Sequence, residues 1–281
     1  MSSDQKFQVF SKGIVFCLAV AFSCAGCQSL IQTDTLARSL ERPAANELTR
    51  GQLVIHSDFR VPRRHRLLDE LSMRRHDVTS TLDIPASDEP IHVYLFEDQE
   101  RFANYMKRRH PLFPSRRAFF VKDDTNLMVY AWWGNRVGED LRHEITHGYL
   151  HSVLNDVPLW LDEGLAEYFE TPRANRGFNS AHFHLLLKKY DANEWQPDLA
   201  RLEVLKNATS LSQMDYAESW LWAHYLMHHS TQTLELLRGY VKDLRVQPAN
   251  AGTLQQRLLA SGKDDTELMS HLEFLRRQLA Q

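Results

Sequence analysis

Cysteine is nearly absent from this chain, and it is confined to one end. Only three of the 281 residues are cysteine, and all three lie within the first 27 residues. The rest of the chain has no disulfide available within itself, so its stability must come from a packed core. Any metal ion held there must be bound by nitrogen and oxygen atoms.

Long apolar runs and a strong net charge are also absent. No apolar stretch reaches the roughly 20 residues that a membrane-spanning helix needs, which excludes a protein with several spans. The 33 basic and 36 acidic residues leave a formal net charge of −3, which disfavours nucleic acid as a partner. With 11 glycines, 10 prolines and 43% hydrophobic residues, the composition is that of an ordinary globular protein.

The first 27 residues predict an export signal. Lys6 and Lys12 precede an uncharged stretch at 13–26, which is too short to span a bilayer comfortably. The stretch ends in small residues directly before Cys27 and resembles the lipobox of bacterial lipoproteins, which implies that Cys27 is lipidated. Because Cys24 stands where that family usually has leucine, plain secretion and a single apolar anchor stay open as alternatives. The expected location is the cell envelope, with the protein anchored to the membrane and facing the periplasm or exterior.

The chain divides into three predicted parts. Residues 1–26 form the signal, 27–50 a polar tether, and 51–281 one folded domain with a helical tail from about residue 232. Within the domain, apolar alternation predicts strands, and longer periodic stretches with caps predict helices. The predicted strands are Leu53–Phe59, Ile91–Phe96, Arg117–Val121 and Asn126–Trp133, the last two joined as a hairpin; the predicted helices are Arg64–Leu82, 98–109 with Asp98 as N-cap, 137–153, Ser219–His229 and Leu234–Arg245. This order predicts an α+β fold, with a small N-terminal mixed sheet followed by a mainly helical C-terminal half.

The segment HEITH, with His143, Glu144 and His147, carries the clearest chemical signal. It lies inside a stretch with helical periodicity, where residues four apart share one face of the helix. Two imidazoles on that face can bind one zinc ion, while Glu144 flanks the open side and can accept a proton from a water activated by the metal.

A third ligand is expected at Glu163, which follows His147 after 15 intervening residues in the segment LWLDEGLAEY. A carboxylate on a second helix would complete three protein ligands and leave a fourth position for water, as in catalytic zinc sites. Pro158 suits the start of that helix, and Gly164 suits close packing against a neighbour.

These two segments together resemble the gluzincin metallopeptidases, and more closely the peptidase MA-like domains, in which HExxH is followed by WLxEGxAxY. The resemblance implies a zincin-like fold, one zinc ion held by His143, His147 and Glu163, and Glu144 as general base. The spacer departs from the aminopeptidase type, which has 18 residues where this chain has 15, and the GxMEN motif is missing. A metzincin is excluded, because HExxHxxGxxH would need glycine at Leu150 and histidine at Val153.

Several side chains near the site have two possible roles. Glu167 either orients a ligand histidine by hydrogen bonding to its far nitrogen or is solvated, and exchanging its role with Glu163 is the main ambiguity. His151 lies too far along its helix to share the metal. The resemblance implies Tyr216 as oxyanion donor, with a core tyrosine as the alternative. Four further histidines either serve as the oxyanion donor or bind a second metal, or lie on the surface, as is typical of histidines without carboxylates nearby in the sequence: His182, His184, His228 and His229.

Substrate positioning is assigned to the strand Asn126–Trp133, because in related enzymes a neighbouring edge strand pairs with an extended peptide. Trp132 and Trp133 either line the cleft or cap the core. Clusters of basic residues in the first half, among them Arg74–Arg75 and Arg116–Arg117, are typical of solvated faces, with a patch for an acidic partner or lipid headgroups as the alternative.

The sequence therefore predicts a lipid-anchored zinc metallopeptidase acting on a peptide or protein substrate, with zinc as its cofactor. One alternative is a zinc hydrolase of another amide or an ester, because fold and motif do not fix the substrate. Another is a non-catalytic lipoprotein of the envelope that keeps the metal site or only the fold. Glu144 favours an enzyme, because a structural zinc site has no use for a carboxylate at that position.

Overall fold

Five strands form one mixed sheet in a computed structural model that describes residues 41–279. The strands are β1 (Asn46–Arg50), β2 (Leu53–Ser57), β3 (Ile91–Phe96), β4 (Ala118–Lys122) and β5 (Leu127–Trp132). Their order across the sheet is β1-β2-β3-β5-β4. The three inner strands are parallel, and each outer strand is antiparallel to its neighbour.

Helices connect β2 to β3 and β3 to β4, and they make up most of the described chain after β5. In the described residues they are α1 (Arg66–Leu82), α2 (Gln99–Arg109), α3 (Val137–His151), α4 (Leu159–Phe169), α5 (Ser180–Asp191), α6 (Leu199–Val204), α7 (Gln213–His228), α8 (Thr231–Val246), α9 (Leu254–Ala260) and α10 (Asp265–Leu279). The predicted α+β fold, with a mixed sheet in the N-terminal half and a mainly helical C-terminal part, is confirmed.

Local signals placed most of these elements correctly. The strand Ile91–Phe96 has the predicted bounds, and the Asp98 side chain caps α2 by accepting a hydrogen bond from the Arg101 N–H at 2.8 Å. The β4–β5 hairpin is also confirmed, because the Asp123 carboxylate accepts from the Asn126 N–H and closes the turn. Helix α7 begins well before the predicted Ser219, because Ser212 and Asp215 form a capping box there.

The predicted domain boundary is wrong at the tether. Residues 27–50 were assigned to it, but Asn46–Arg50 is strand β1, which pairs with β2 over its whole length. This strand has one apolar residue, Leu48, so backbone pairing rather than an apolar face defines it. The predicted signal and Cys27, with the tether up to residue 40, lie outside the described residues.

The two faces of the sheet carry different layers. Helix α2 covers one face through a cluster of buried aromatic residues that includes Tyr105 and Tyr130. The main core lies on the other face and includes buried residues of α1 and α3. Gly148 lets α3 approach the sheet closely, because a Cβ there would lie 3.0 Å from Ile91 Cδ1. The HEITH helix is thereby held firmly against β3.

A second close approach joins α4 to α7. A Cβ on Gly164 would lie 2.4 Å from the carbonyl oxygen of Ser219, so only glycine permits this spacing. The expectation that Gly164 allows close packing is confirmed. Among residues 41–279, none of the helices combines the length and the apolar character that crossing a bilayer requires.

Candidate metal centre

Two helices bring three potential ligands together. The Nε2 atoms of His143 and His147 on α3 lie 3.3 Å apart, and Oε2 of Glu163 on α4 lies 3.5 Å and 3.7 Å from them. These atoms form a group able to hold a metal ion. The helical spacing of the histidines and the packing of α4 on α3 together create the group.

The geometry of the group fits a tetrahedral metal. Ligand atoms about 2.0–2.1 Å from zinc, at tetrahedral angles, lie about 3.3–3.4 Å from one another. Oε2 of Glu163 is buried and has no hydrogen-bond partner within residues 41–279. Burying a carboxylate oxygen in this way costs free energy unless a cation binds it. Two imidazoles and one carboxylate are a donor set that suits zinc.

Asp162 orients one of the two histidines. Its Oδ1 accepts a hydrogen bond from Nδ1 of His147 at 2.9 Å, and its Oδ2 lies 2.9 Å from Nε2 of His151. Burial alone would lower the pKa of His147, but Asp162 outweighs it and raises that pKa to about 9. His151 therefore contacts the site through Asp162, and it does not join the group formed by His143, His147 and Glu163.

Glu170 orients the other histidine. Its Oε2 lies 3.2 Å from Nδ1 of His143, whereas Oε1 of Glu167 is 4.0 Å from the same atom. The hydrogen bond predicted for Glu167 is therefore made by Glu170, three residues further along the chain at the C-cap of α4. Glu167 instead pairs with His182 at 2.7 Å, and Asn179 donates to Glu170 at 2.9 Å. The distances also decide which of Glu163 and Glu167 is the candidate ligand, because only Glu163 of these two faces both Nε2 atoms.

Glu144 is half-buried beside its two histidine neighbours in the motif. Burial raises the pKa of this carboxyl, and the charges of His143 and His147 partly offset that rise. A carboxylate with a raised pKa is a stronger base, so Glu144 is suited to accept a proton at this place.

Tyr216 and Arg116 meet at the edge of the site. The Arg116 guanidinium donates a hydrogen bond to the Tyr216 hydroxyl at 3.0 Å. Tyr216 is half-buried rather than a core residue, and burial and then the charge of Glu163 raise its pKa. Burial lowers the pKa of Arg116, but Tyr216 and the carboxylates of Glu163 and Glu144 raise it above its ordinary value.

The edge strand beside the site is β4. The expectation that Asn126–Trp133 pairs with substrate is wrong, because β5 is hydrogen-bonded to β3 on one side and β4 on the other. On β4, the Phe120 ring stacks on His147 and His151, with ring centroids 5.9 Å and 5.4 Å apart. The Trp133 ring packs against Phe59 and His65, and its aromatic contacts within residues 41–279 include neither His143 nor His147.

The remaining predicted histidines have other partners. Nε2 of His228 lies 2.7 Å from the Tyr168 hydroxyl, His184 contacts Ser180, and His229 lies 3.4 Å from Glu267. His182 is the exception, because it supports Glu167 as described above. None of these four belongs to a metal-binding group in the described part of the chain.

Three residues of the site were missed in the sequence. Glu170 had a usable signal, because it lies seven residues after Glu163 and therefore on the same face of α4. Asp162 and Arg116 had none: Asp162 points about 100° away from Glu163 on the helix, and Arg116 belongs to a basic cluster typical of solvated surface. The positions of Asp162 and Arg116 in the site depend on how α3, α4 and β4 pack against one another.

One protein family matches a part of the chain that includes most of this site. Residues 140–249 match a family described as "Protein of unknown function (DUF1570)". No curated protein matches the chain. The matched segment contains both histidines, Glu163 and Tyr216, and it excludes the sheet and Arg116.

Proposed function

We propose that this protein is a zinc-dependent metallopeptidase with a zincin-like fold. The observation that carries the proposal is the buried Glu163 oxygen, which faces both histidine Nε2 atoms and has no other partner within residues 41–279. Glu144 adds the second part of the argument, because a site that only binds metal does not need a free carboxylate beside it.

The proposed residue roles follow from position. His143, His147 and Glu163 would hold the zinc ion, which would supply Lewis-acid activation of water and of the substrate carbonyl when bound. Glu144 accepts the proton of the attacking water and returns it to the leaving amine. The Tyr216 hydroxyl accepts a hydrogen bond from Arg116 and keeps its own hydrogen to donate to the developing oxyanion.

We assign substrate docking to β4. This strand is at the edge of the sheet formed by the described residues, and its Phe120 side chain lies against the metal helix. An extended peptide can add to such an edge through main-chain hydrogen bonds, which places its backbone along the metal group.

The test uses purified protein and a Glu144→Gln variant. We expect the wild type to bind one zinc ion and to degrade an unfolded protein, and the variant to bind zinc with hydrolysis reduced about 100-fold or more. Zinc is measured by elemental mass spectrometry and hydrolysis by release of labelled peptides. Glu100→Gln, at an exposed site in the first turn of α2, is the matched control and should keep both properties.

Two outcomes would contradict this function. Equal hydrolysis by the wild type and Glu144→Gln would remove the proposed base. Stoichiometric zinc without hydrolysis of any peptide would favour the non-catalytic alternative.

We also propose that the protein is anchored in the cell envelope through lipidated Cys27. The support is the sequence alone, namely the short apolar stretch and the small residues before this cysteine. We expect Cys27→Ser to abolish incorporation of labelled fatty acid and to release the protein from the membrane fraction. Unchanged membrane association would point to an uncleaved apolar segment instead.

A further inference from the structure

Arg116 is a cation at a site built mostly from carboxylates. Its guanidinium contacts the Tyr216 hydroxyl and experiences the charges of Glu163 and Glu144. Within residues 41–279 no carboxylate lies close enough to form a salt bridge with it, whereas the adjacent Arg117 pairs with both Glu139 and Asp140. Arg116 therefore keeps donors that are available to an incoming anion.

The neighbouring residue fixes the place of Arg116. Arg117 donates to both oxygens of Asp140, at 2.9 Å and 3.0 Å from its Nε. This bidentate pair fastens the entry of β4 to the first turn of α3. Arg116 is thus presented at a defined end of the edge strand.

The direction of β4 determines which part of a docked peptide reaches Arg116. Arg117, just before the strand, contacts the start of α3, and Lys122 at its end donates to the carbonyl of His151 at 3.0 Å. β4 therefore runs in the same direction as the metal helix. A peptide paired antiparallel to β4, the slightly more stable arrangement, has its C-terminal side at the Arg116 end.

We propose that Arg116 binds a carboxylate of the substrate on the C-terminal side of the cleaved bond, within one or two residues of it. The inference rests on the proposed function and names a substrate class for the same site. A guanidinium presents paired donors that match a carboxylate, and the surrounding carboxylates would repel that group if Arg116 were missing. The carboxylate is either the C-terminal end of the peptide or an acidic side chain.

The test compares three pools of N-acetylated hexapeptides of mixed sequence. The first has free C-terminal carboxylates and no acidic side chains, the second has C-terminal amides, and the third has amides with one glutamate. Products are measured by mass spectrometry. We expect either the first or the third pool to be cleaved about tenfold faster than the second. Faster cleavage of the first pool would identify the C-terminal carboxylate as the group bound, and faster cleavage of the third would identify the acidic side chain.

Variants assign that preference to Arg116. The preference is the cleavage rate of the favoured pool divided by that of the amide pool without acidic side chains. This ratio should fall to about one in Arg116→Gln and be partly restored in Arg116→Lys, which a merely structural role would not produce. Arg136→Gln is the matched control, because this exposed arginine already pairs with Glu139 and should keep the preference. Equal cleavage of all three pools, or a preference lost in Lys122→Gln and kept in Arg116→Gln, would overturn the inference.

A binding measurement separates this inference from the proposed activity. Three forms of one hexapeptide are titrated into zinc-loaded Glu144→Gln protein by calorimetry: the C-terminal acid, the C-terminal amide, and the amide with one glutamate. Tighter binding of the acid or of the glutamate form than of the plain amide, lost in the double variant with Arg116→Gln, supports Arg116 even where no pool is cleaved. Equal binding of all three forms would reject the inference, whatever the outcome for hydrolysis.

Discussion

Asp162 accepts a hydrogen bond from Nδ1 of His147 at 2.9 Å. With the proton on Nδ1, the lone pair of Nε2 is directed toward His143 and Glu163, as a metal ligand requires. The second oxygen of Asp162 lies 2.9 Å from Nε2 of His151, so the carboxylate is itself fixed on both sides. Helix α4 therefore supplies a candidate ligand, Glu163, and in the residue before it the group that orients another ligand.

Replacing this carboxylate should weaken the metal site without removing a ligand. We expect Asp162→Asn to reduce zinc affinity about 10- to 100-fold, because the tautomer and ring orientation of His147 are no longer fixed. The measurement is competition with a chelating dye. Glu167→Gln is the matched control on the same helix, and its smaller expected loss follows from its 4.0 Å distance to His143. Equal losses in both variants would contradict the assigned roles.

The close approach of α4 and α7 predicts a large effect of one methyl group. Gly164→Ala would place a carbon 2.4 Å from the Ser219 carbonyl oxygen, so the helices must separate. We expect the free energy of unfolding to fall by at least about 2 kcal/mol, measured by urea denaturation. Gly239→Ala on α8 is the control: nothing lies within 4 Å of its added carbon, and it should stabilise by about 0.5–1 kcal/mol. A neutral effect at Gly164 would contradict the packing.

A buried histidine pair between α7 and α10 predicts loss of stability in acid. Nδ1 of His224 lies 2.9 Å from Nε2 of His271. Burial and then neighbouring histidines, among them His228, lower the pKa of His224 to about 2; burial and then His229 lower that of His271 to about 4. The unfolded chain binds these protons near pH 6.5, so it gains protons over the folded state as the pH falls.

The expected loss is about 2 kcal/mol for each histidine between pH 7 and pH 5. Urea denaturation at both pH values, with a chelator present, measures it. His271→Gln should reduce the difference between the two pH values by about 2 kcal/mol, while His76→Gln, at an exposed site on α1, should leave it unchanged. An unchanged difference in His271→Gln would exclude this pair as its source.

Local patterns in the sequence were sufficient where the cause is local. The bounds of β3 follow from its run of β-branched and aromatic residues, and the two histidines of HEITH share a face because of helical geometry. Strand β1 could not be found in this way, because NELTR becomes a strand only through pairing with β2. Likewise, the edge position of β4 is a property of strand order, which no short pattern contains.

The same limit applies within the site. Glu163 was placed correctly beside the histidines by its segment, but the choice between Glu167 and Glu170 as partner of His143 depends on how α4 is rotated against α3. Arg116 needed both the path of β4 and the position of α7 to be known.

The distribution of the three candidate ligands over two helices has a mechanical consequence. An ion bound to His143, His147 and Glu163 would join α3 to α4 across the segment 152–158. In a chain without cysteine after residue 27, the ion would act as a reversible cross-link between two core helices. The supply of metal would then set both how long the folded protein persists and whether its site is complete.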